Sequence, residues 1–197
     1  DRDNTAMIGR FRYEDGAYCA CIEPPYSTLI VRLMREILVV LDEPAEMNSF
    51  LLAATDLETG REAPEERALE YLLPAMSLDP EDASSLRALT EDFLRAEKSA
   101  RLRQVAGRIE RAERSECAEL VIPADEVWDW LAALNDVRLG LAGELKLETD
   151  ADVARIEELA GRALDGSREQ AASVFYLILT WWQDSLISAL NSSGVHG

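Results

Sequence analysis

The sequence predicts a mainly α-helical protein, a helical bundle with a small antiparallel β-hairpin or three-stranded sheet. Apolar residues recur at intervals of three and four over most of the chain, which is typical of helices that bury one face. One Asp-Gly pair separates two β-favouring runs near the start of the chain. Strands do not alternate with helices as they do in parallel-sheet enzymes. The 197 residues, 48% of them hydrophobic, are expected to form a single domain over 1–197.

The β-structure is predicted from three short runs. Residues 8–13 and 17–22 flank Asp15-Gly16, the dipeptide that favours a tight turn between antiparallel strands. The run 117–122 is closed by Pro123 and is also rich in β-favouring residues. Because an isolated two-stranded hairpin is marginal in water, this run could add a third strand to it.

The helices are predicted from apolar spacing and from the residues that start and stop them. Expected helices are an element that ends at Asp42, a second over 44–57, one or two from Asp79-Pro80 to Ile109, one from Val127 to Leu145, one from Thr149 to about Leu164, and a last from Ser167 to about Leu190. A flexible acidic loop is expected near 58–66 and a frayed tail over 191–197.

Charge and composition exclude several functions. The chain carries 38 acidic and 20 basic residues, a formal net charge of −18, so it repels phosphate backbones and anionic membranes. We therefore expect no direct binding of duplex DNA. The longest strongly apolar stretch, Ala171 to Trp182, is shorter than the roughly 18 residues of a membrane span. An odd number of cysteines, three, favours a reducing compartment, and we expect a cytoplasmic protein.

Catalytic and metal sites are not predicted. The single histidine, His196, is next to the last residue, so neither a Ser-His-Asp arrangement nor a grouped zinc site can be assembled convincingly. No glycine-rich phosphate loop occurs, and no Glu-x-x-His element of a di-metal carboxylate bundle is present. The sequence therefore predicts a protein that is not an enzyme and that holds no cofactor or metal.

The cysteines form one candidate redox group. Cys19 and Cys21 lie two apart on a predicted strand and so share one face, at a Cα separation that is marginal for a disulfide. Cys117 could become a cross-strand partner if its run pairs with this strand. We expect mild peroxide to form an intramolecular disulfide that involves Cys19 or Cys21. The alternative is that the thiols are small buried apolar groups.

The stretch from Leu86 to Arg114 is the only basic part of the chain, with a net charge of +3. Its residues Arg95, Lys98 and Arg101 are candidates for a docking face for an acidic partner. The alternative is an ordinary helix surface with salt bridges, because Glu91–Arg95 and Glu110–Arg114 are spaced at i,i+4.

Arg138 interrupts an otherwise apolar helical seam at 127, 131, 134, 141 and 145. A buried guanidinium requires a carboxylate, and Asp184 in the apolar last helix is the predicted partner. Asn135, Asp136, Arg138 and Asp184 could form either a structural ion pair between two helices or a ligand pocket.

The segments Trp130 to Leu139 and Leu179 to Leu186 resemble those of an actinobacterial family of unknown function, whose members are commonly encoded beside the ClpS protease adaptor. The resemblance includes the opening hairpin and the segment Leu86 to Lys98 and is weakest over 42–71. It implies a helical regulatory protein, since members have been described as transcriptional regulators linked to oxidative stress. It implies no catalytic residues.

The expected function is therefore that of a non-enzymatic regulatory or adaptor protein that binds a protein partner. The resemblance and the negative charge together favour a redox-linked transcriptional regulator that works through a partner such as a sigma factor, which would itself contact the DNA. The alternative is a small-ligand binding protein or enzyme that uses the group Asn135, Asp136, Arg138 and Asp184. The sequence leaves the oligomeric state open.

Overall fold

The computed structural model describes residues 8–42, 67–73, 79–115, 118–163 and 165–194, and for residues 67 and 80–89 it describes the backbone alone. Six helices and a three-stranded antiparallel sheet make up this part of the chain, which confirms the predicted fold class. The elements in chain order are β1 Arg12–Glu14, β2 Ala17–Cys21, α1 Tyr26–Asp42, α2 Arg67–Leu72, α3 Pro80–Glu113, β3 Glu119–Pro123, α4 Val127–Leu145, α5 Asp150–Gly161 and α6 Arg168–Ser192. The predicted helix over 44–57 and the acidic loop near 58–66 lie outside the described residues.

The hairpin forms as predicted because its turn residues tolerate positive φ. Asp15 and Gly16 have φ of 50° and 83°, the pattern of the two-residue turn that matches strand twist. The third strand is confirmed, since β3 pairs antiparallel with β2 and the order is β1-β2-β3. In this register Cys19 faces Val121 and Cys21 faces Glu119.

Local sequence signals start the last two helices. Thr149 caps α5 and forms a reciprocal capping box with Asp152, while the hydroxyl of Ser167 accepts a hydrogen bond from the amide of Gln170 at the start of α6. Between Pro80 and Glu113 the chain forms one helix, α3, not two. The last helix reaches Ser192, two residues further than predicted, because its final carbonyls are capped by the amide of Ser193.

The core joins the sheet to the long helices. Trp130 of α4 and Trp182 of α6 are fully buried, and the ring of Trp182 packs on Phe11 at a centroid distance of 4.9 Å. The indole N–H of Trp182 also donates to the carbonyl of Gly9 at 3.0 Å. One face of the sheet, formed by Tyr18, Ala20, Ile22, Leu120 and Ile122, is buried in this core. The opposite face of the sheet points outward.

Candidate functional site

A buried charge cluster joins α3 to α4. The ammonium of Lys98 donates to Oδ1 of Asp136 at 2.5 Å, and Nη1 of Arg101 lies 3.7 Å from Oδ2 of the same carboxylate. The side chain of Asp136 is only 3% exposed. Burial raises the pKa of Asp136, while the hydrogen bond and charge of Lys98 and the charge of Arg101 oppose that rise. The cluster therefore joins two helices through a carboxylate that is costly to ionise unless its basic partners stay in place.

The candidate docking face of Arg95, Lys98 and Arg101 is not an open surface, which corrects the expectation of a basic patch. The three side chains are 12%, 18% and 16% exposed. Arg95 pairs with Glu91 and donates to the carbonyls of Val40 and Leu41, the orphan acceptors at the end of α1. The alternative of an ordinary salt-bridged helix surface is the one observed.

The predicted ion pair between Arg138 and Asp184 does not form. Nη1 of Arg138 donates to Oε1 of the neighbouring Gln183 at 2.6 Å, and its guanidinium lies 5.5 Å from the ring centroid of Tyr176. Asp184 is exposed, because one residue along a helix turns the side chain by about 100° and carries it off the face that meets α4. Arg138 is half-buried, so its charge needs less compensation than a fully buried one.

The four residues of the predicted ion-pair group do not converge on one site. Asp136 bonds to α3, whereas Arg138, two residues and about 200° further round α4, bonds to α6. Asp184 points to solvent and Asn135 is half-buried between these directions. The sequence predicted either one ion pair or a pocket lined by all four residues. The structure shows neither, because Asp136 and Arg138 contact different helices.

Two adjoining clefts lie elsewhere, beside α1. One of about 290 Å³ opens between α1, α2 and α4, and a second of about 380 Å³ opens between α1, α4 and α6. Arg168 separates them, since its guanidinium binds Glu144 through two nitrogens at 2.6 and 3.1 Å and Glu36 at 3.0 Å. Neither cleft includes Asn135, Asp136, Arg138 or Asp184.

The thiols of Cys19 and Cys21 both lie on the outer face of the sheet, as their spacing predicts. Cys19 is 8% exposed and Cys21 is half-buried, and both are free thiols. Burial is the main cause that raises both pKa values, and the carboxylate of Glu119 raises them further. Both thiols are therefore less ionised at neutral pH than an ordinary cysteine. Cys117, the third member of the predicted redox group, lies outside the described residues.

Trp128 is not among the site residues predicted from the sequence, and its indole is 64% exposed although Trp130 is fully buried. The sequence does indicate this exposure, because Trp128 lies off the apolar seam at 127, 131 and 134 of its helix. Ala132, Asn135 and Leu139, all half-buried, follow at four, seven and eleven residues and so share its side of α4.

Ile187 of α6 lies at the same end of this helix pair. The two helices are antiparallel, because Gln183 of α6 bonds to the carbonyl of Leu131 and to Arg138, while Tyr176 lies beside Arg138. That direction brings Ile187, which is 39% exposed, to the level of Trp128. We call Trp128, Ala132, Asn135, Leu139 and Ile187 the Trp128 surface.

The described residues contain no group of three or more His, Cys, Asp or Glu side chains that could hold a metal ion. None of the described helices is long and apolar enough to cross a membrane.

The comparison with protein families identifies the chain. Residues 7–190 match the model of a domain of unknown function, DUF2017. The chain belongs to the DUF2017 family. No curated protein and no solved structure matches it. Because the family match covers both the charge cluster and the Trp128 surface, these features lie within the family domain itself.

Proposed function

We propose that this DUF2017 protein is a non-enzymatic regulatory or adaptor protein that binds another protein through the Trp128 surface. The observation that carries the proposal is the 64% exposed indole of Trp128 on a helix whose other tryptophan is fully buried. Exposed tryptophans contribute strongly at protein interfaces, because a large rigid ring buries much apolar area with little loss of conformational entropy. Ile187 lies at the level of Trp128 on α6, and Leu139 lies about three turns further along the same side of α4, so both add apolar residues to this surface.

The charge of the chain favours a protein partner with a neutral or basic contact face. Asp129, which the guanidinium of Arg101 approaches at 3.4 Å, lies next to Trp128, and Asp184 is exposed one turn from Ile187, so carboxylates border the apolar centre. The net charge of −18 opposes contact with nucleic acid and favours attraction of basic protein surfaces. The alternative, a ligand-binding protein or enzyme that uses Asn135, Asp136, Arg138 and Asp184, has less support because these side chains face different elements.

We extend the proposal to a cytoplasmic transcriptional regulator that acts through a sigma factor or a similar partner. Its support is the resemblance of the two tryptophan-bearing segments to actinobacterial relatives that are encoded beside ClpS and described as regulators linked to oxidative stress. Cys19, Cys21 and Cys117 are the thiols that a redox link would use. Such control would require oxidation to change the partner's access to the sheet or to the helices packed on it.

Affinity capture tests the proposal with the full-length chain as bait. Wild type, Trp128→Ser and Phe93→Ser are incubated with lysate of the source organism under reducing and oxidising conditions, and bound proteins are identified by mass spectrometry. Phe93 is the matched control because it is a 70% exposed aromatic residue on α3, outside the Trp128 surface. We expect a partner that wild type and Phe93→Ser retain and Trp128→Ser loses.

Reconstitution with the purified partner then separates the general proposal from its extension. A sigma factor that binds directly, with an affinity that changes with the oxidation state of the thiols, would support the transcriptional role. A partner of another class would support protein binding alone. Equal capture by wild type and Trp128→Ser of every enriched protein would contradict the assignment of the Trp128 surface.

A further inference from the structure

One edge of the sheet is open. β3 is the last strand in the order β1-β2-β3, so no described strand pairs with its outer side. The amide of Ile22 donates to the carbonyl of Ala118 at 3.0 Å, which fixes the phase of the β2–β3 ladder. Since alternate residues of an antiparallel strand direct their backbone groups to one partner, residues 118, 120 and 122 bond to β2. The N–H and C=O groups of Glu119 and Val121 therefore point to the open edge.

The outer face of β3 is also uncovered. Leu120 and Ile122 are 1% and 0% exposed in the core, whereas Val121 is 45% exposed and Glu119 is exposed on the opposite face. No side chain or backbone group of the described residues bonds to the outward backbone groups of Glu119 or Val121. Open edges with an apolar outward residue readily accept another strand.

The outer face of the sheet, which ends at this edge, carries several carboxylates. Glu119 of β3 raises the pKa of both Cys19 and Cys21, and Glu23 also raises that of Cys21. Glu14 and Asp15, which raise the pKa of Cys19, lie at the β1 side of the sheet. Arg12 is the basic residue that opposes them at both thiols, and it is bound to Glu14 at 2.9 Å. A segment that pairs with β3 thus meets the exposed carboxylate of Glu119 next to the exposed Val121.

We infer that the open edge of β3 binds an extended, lysine- or arginine-bearing segment of a partner protein as a fourth strand. The backbone of the segment bonds to Glu119 and Val121, a basic side chain pairs with Glu119, and an apolar side chain two positions away covers Val121. The inference deepens the proposed function, since it rests on the chain being a protein-binding module, but it uses a surface distinct from Trp128.

A synthetic peptide of about ten residues with alternating lysine and valine, blocked at both ends, is a direct probe for this mode of strand addition. A matched peptide with glutamate in place of lysine tests the charge requirement. With the full-length protein, we expect the lysine peptide to bind and the glutamate peptide not to bind. Amide hydrogen exchange at Glu119 and Val121 should slow when the lysine peptide is added, because these N–H groups then become bonded.

Val121→Pro removes one outward N–H and leaves the β2–β3 ladder bonds intact, since proline is tolerated at an edge position. Its control is Val121→Thr, which retains the N–H and a β-branched side chain. We expect Val121→Pro to bind the lysine peptide roughly tenfold more weakly than Val121→Thr, the loss expected for a hydrogen bond at the interface. If Val121→Pro lacks the wild-type circular dichroism spectrum, Glu119→Lys is tested in its place. This variant should bind the lysine peptide more weakly than wild type does and the glutamate peptide more tightly.

Four results would overturn the inference. Equal binding of both peptides would show that charge plays no part. Binding of the lysine peptide without protection of Glu119 and Val121 would show that no strand is added. A dimer in sedimentation that Val121→Pro abolishes would show that a second copy of this chain occupies the edge. If the wild type does not bind the lysine peptide while partner capture still depends on Trp128, this inference alone is refuted. If the lysine peptide binds as expected while partner capture does not depend on Trp128, only the assignment of the Trp128 surface is refuted.

Discussion

The carboxylate of Asp136 and the ammonium of Lys98 form an ion pair that is almost fully removed from solvent, at 3% and 18% exposure. The pair joins the middle of α3 to the middle of α4, and Arg101 adds a second positive charge at 3.7 Å. A buried carboxylate that loses its main partner keeps its desolvation cost without the compensating attraction. The pair is therefore a place where single and double substitutions should differ strongly.

Lys98→Met is expected to destabilise the fold by about 3 kcal/mol because it leaves Asp136 buried with Arg101 alone. The double variant Lys98→Met with Asp136→Leu should recover most of that loss, since it removes both desolvated charges. Arg162→Ala is the control for an exposed pair with Glu158, and it should change the free energy of unfolding by under about 1 kcal/mol. Urea denaturation measures the free energy of unfolding of the two single variants and the double variant. The prediction is contradicted if the double variant is no more stable than Lys98→Met.

The pH dependence of stability should carry the signature of Asp136. Burial raises its pKa in the folded state, so the folded protein binds this proton more tightly than the unfolded chain does. The contribution of Asp136 to the free energy of unfolding therefore grows as the pH falls through the folded pKa, and it is complete below the ordinary carboxyl value of about 4. It is lost again as the pH rises through the folded pKa.

Asp136→Asn cannot titrate and provides the reference for this effect. The free energy of unfolding of wild type minus that of Asp136→Asn should increase as the pH is lowered from neutrality to about 4. Parallel urea titrations at each pH measure the difference and cancel the contributions of the other carboxylates. A difference that stays flat or decreases would show that Lys98 and Arg101 outweigh the burial of Asp136.

Arg138→Ala should cost about 1 to 2 kcal/mol, less than the loss of a buried ion pair, because it removes one hydrogen bond to Gln183 and a contact with the ring of Tyr176. Asp184→Ala should be nearly neutral, since Asp184 is exposed. Thermal or urea denaturation of both variants tests the assignment. If Asp184→Ala lowers the free energy of unfolding as much as Arg138→Ala does, the result would favour the ion pair that the sequence predicted.

Gly140 marks the close approach of α4 to α1. A Cβ at this position would lie 2.9 Å from Cδ1 and 3.2 Å from Cγ1 of Ile37, so Gly140→Ala forces the two helices or the isoleucine to shift. We expect a loss of about 1 to 2 kcal/mol after the gain in helix propensity is included. Gly161→Ala meets no atom within 4 Å and should be neutral or stabilising by up to about 1 kcal/mol. If urea denaturation shows Gly140→Ala to be more stable than Gly161→Ala, the close packing of α4 on α1 at Gly140 is contradicted.

The thiols should react slowly in the folded protein. Because burial and nearby carboxylates raise the pKa of Cys19 and Cys21, alkylation by iodoacetamide at neutral pH should be slower in the native state than in urea, and it should accelerate as the pH rises. Half-buried Cys21 should react before Cys19. Mass spectrometry after graded peroxide decides the redox hypothesis, which fails if no intramolecular disulfide involves Cys19 or Cys21.

Local chemistry in the sequence was sufficient to predict most elements. Asp15-Gly16 specifies its turn because both positions tolerate positive φ, and Thr149 and Ser167 start helices because their side chains accept backbone hydrogen bonds nearby in the chain. The i,i+4 pair of Glu91 and Arg95 is likewise set by helical geometry. These interactions connect residues a few positions apart, so the sequence by itself determined them.

Contacts between distant segments were decided only by the tertiary structure. Helical spacing indicated that Arg138 enters the packed region, but the rotation of α6 selects Gln183 and turns Asp184 to solvent. The same packing pairs Lys98 with Asp136, which lies 38 residues away, and leaves Trp128 outside while Trp130 is buried. A periodic pattern states which face of a helix is apolar, whereas the relative rotation of two helices depends on how all their side chains fit together.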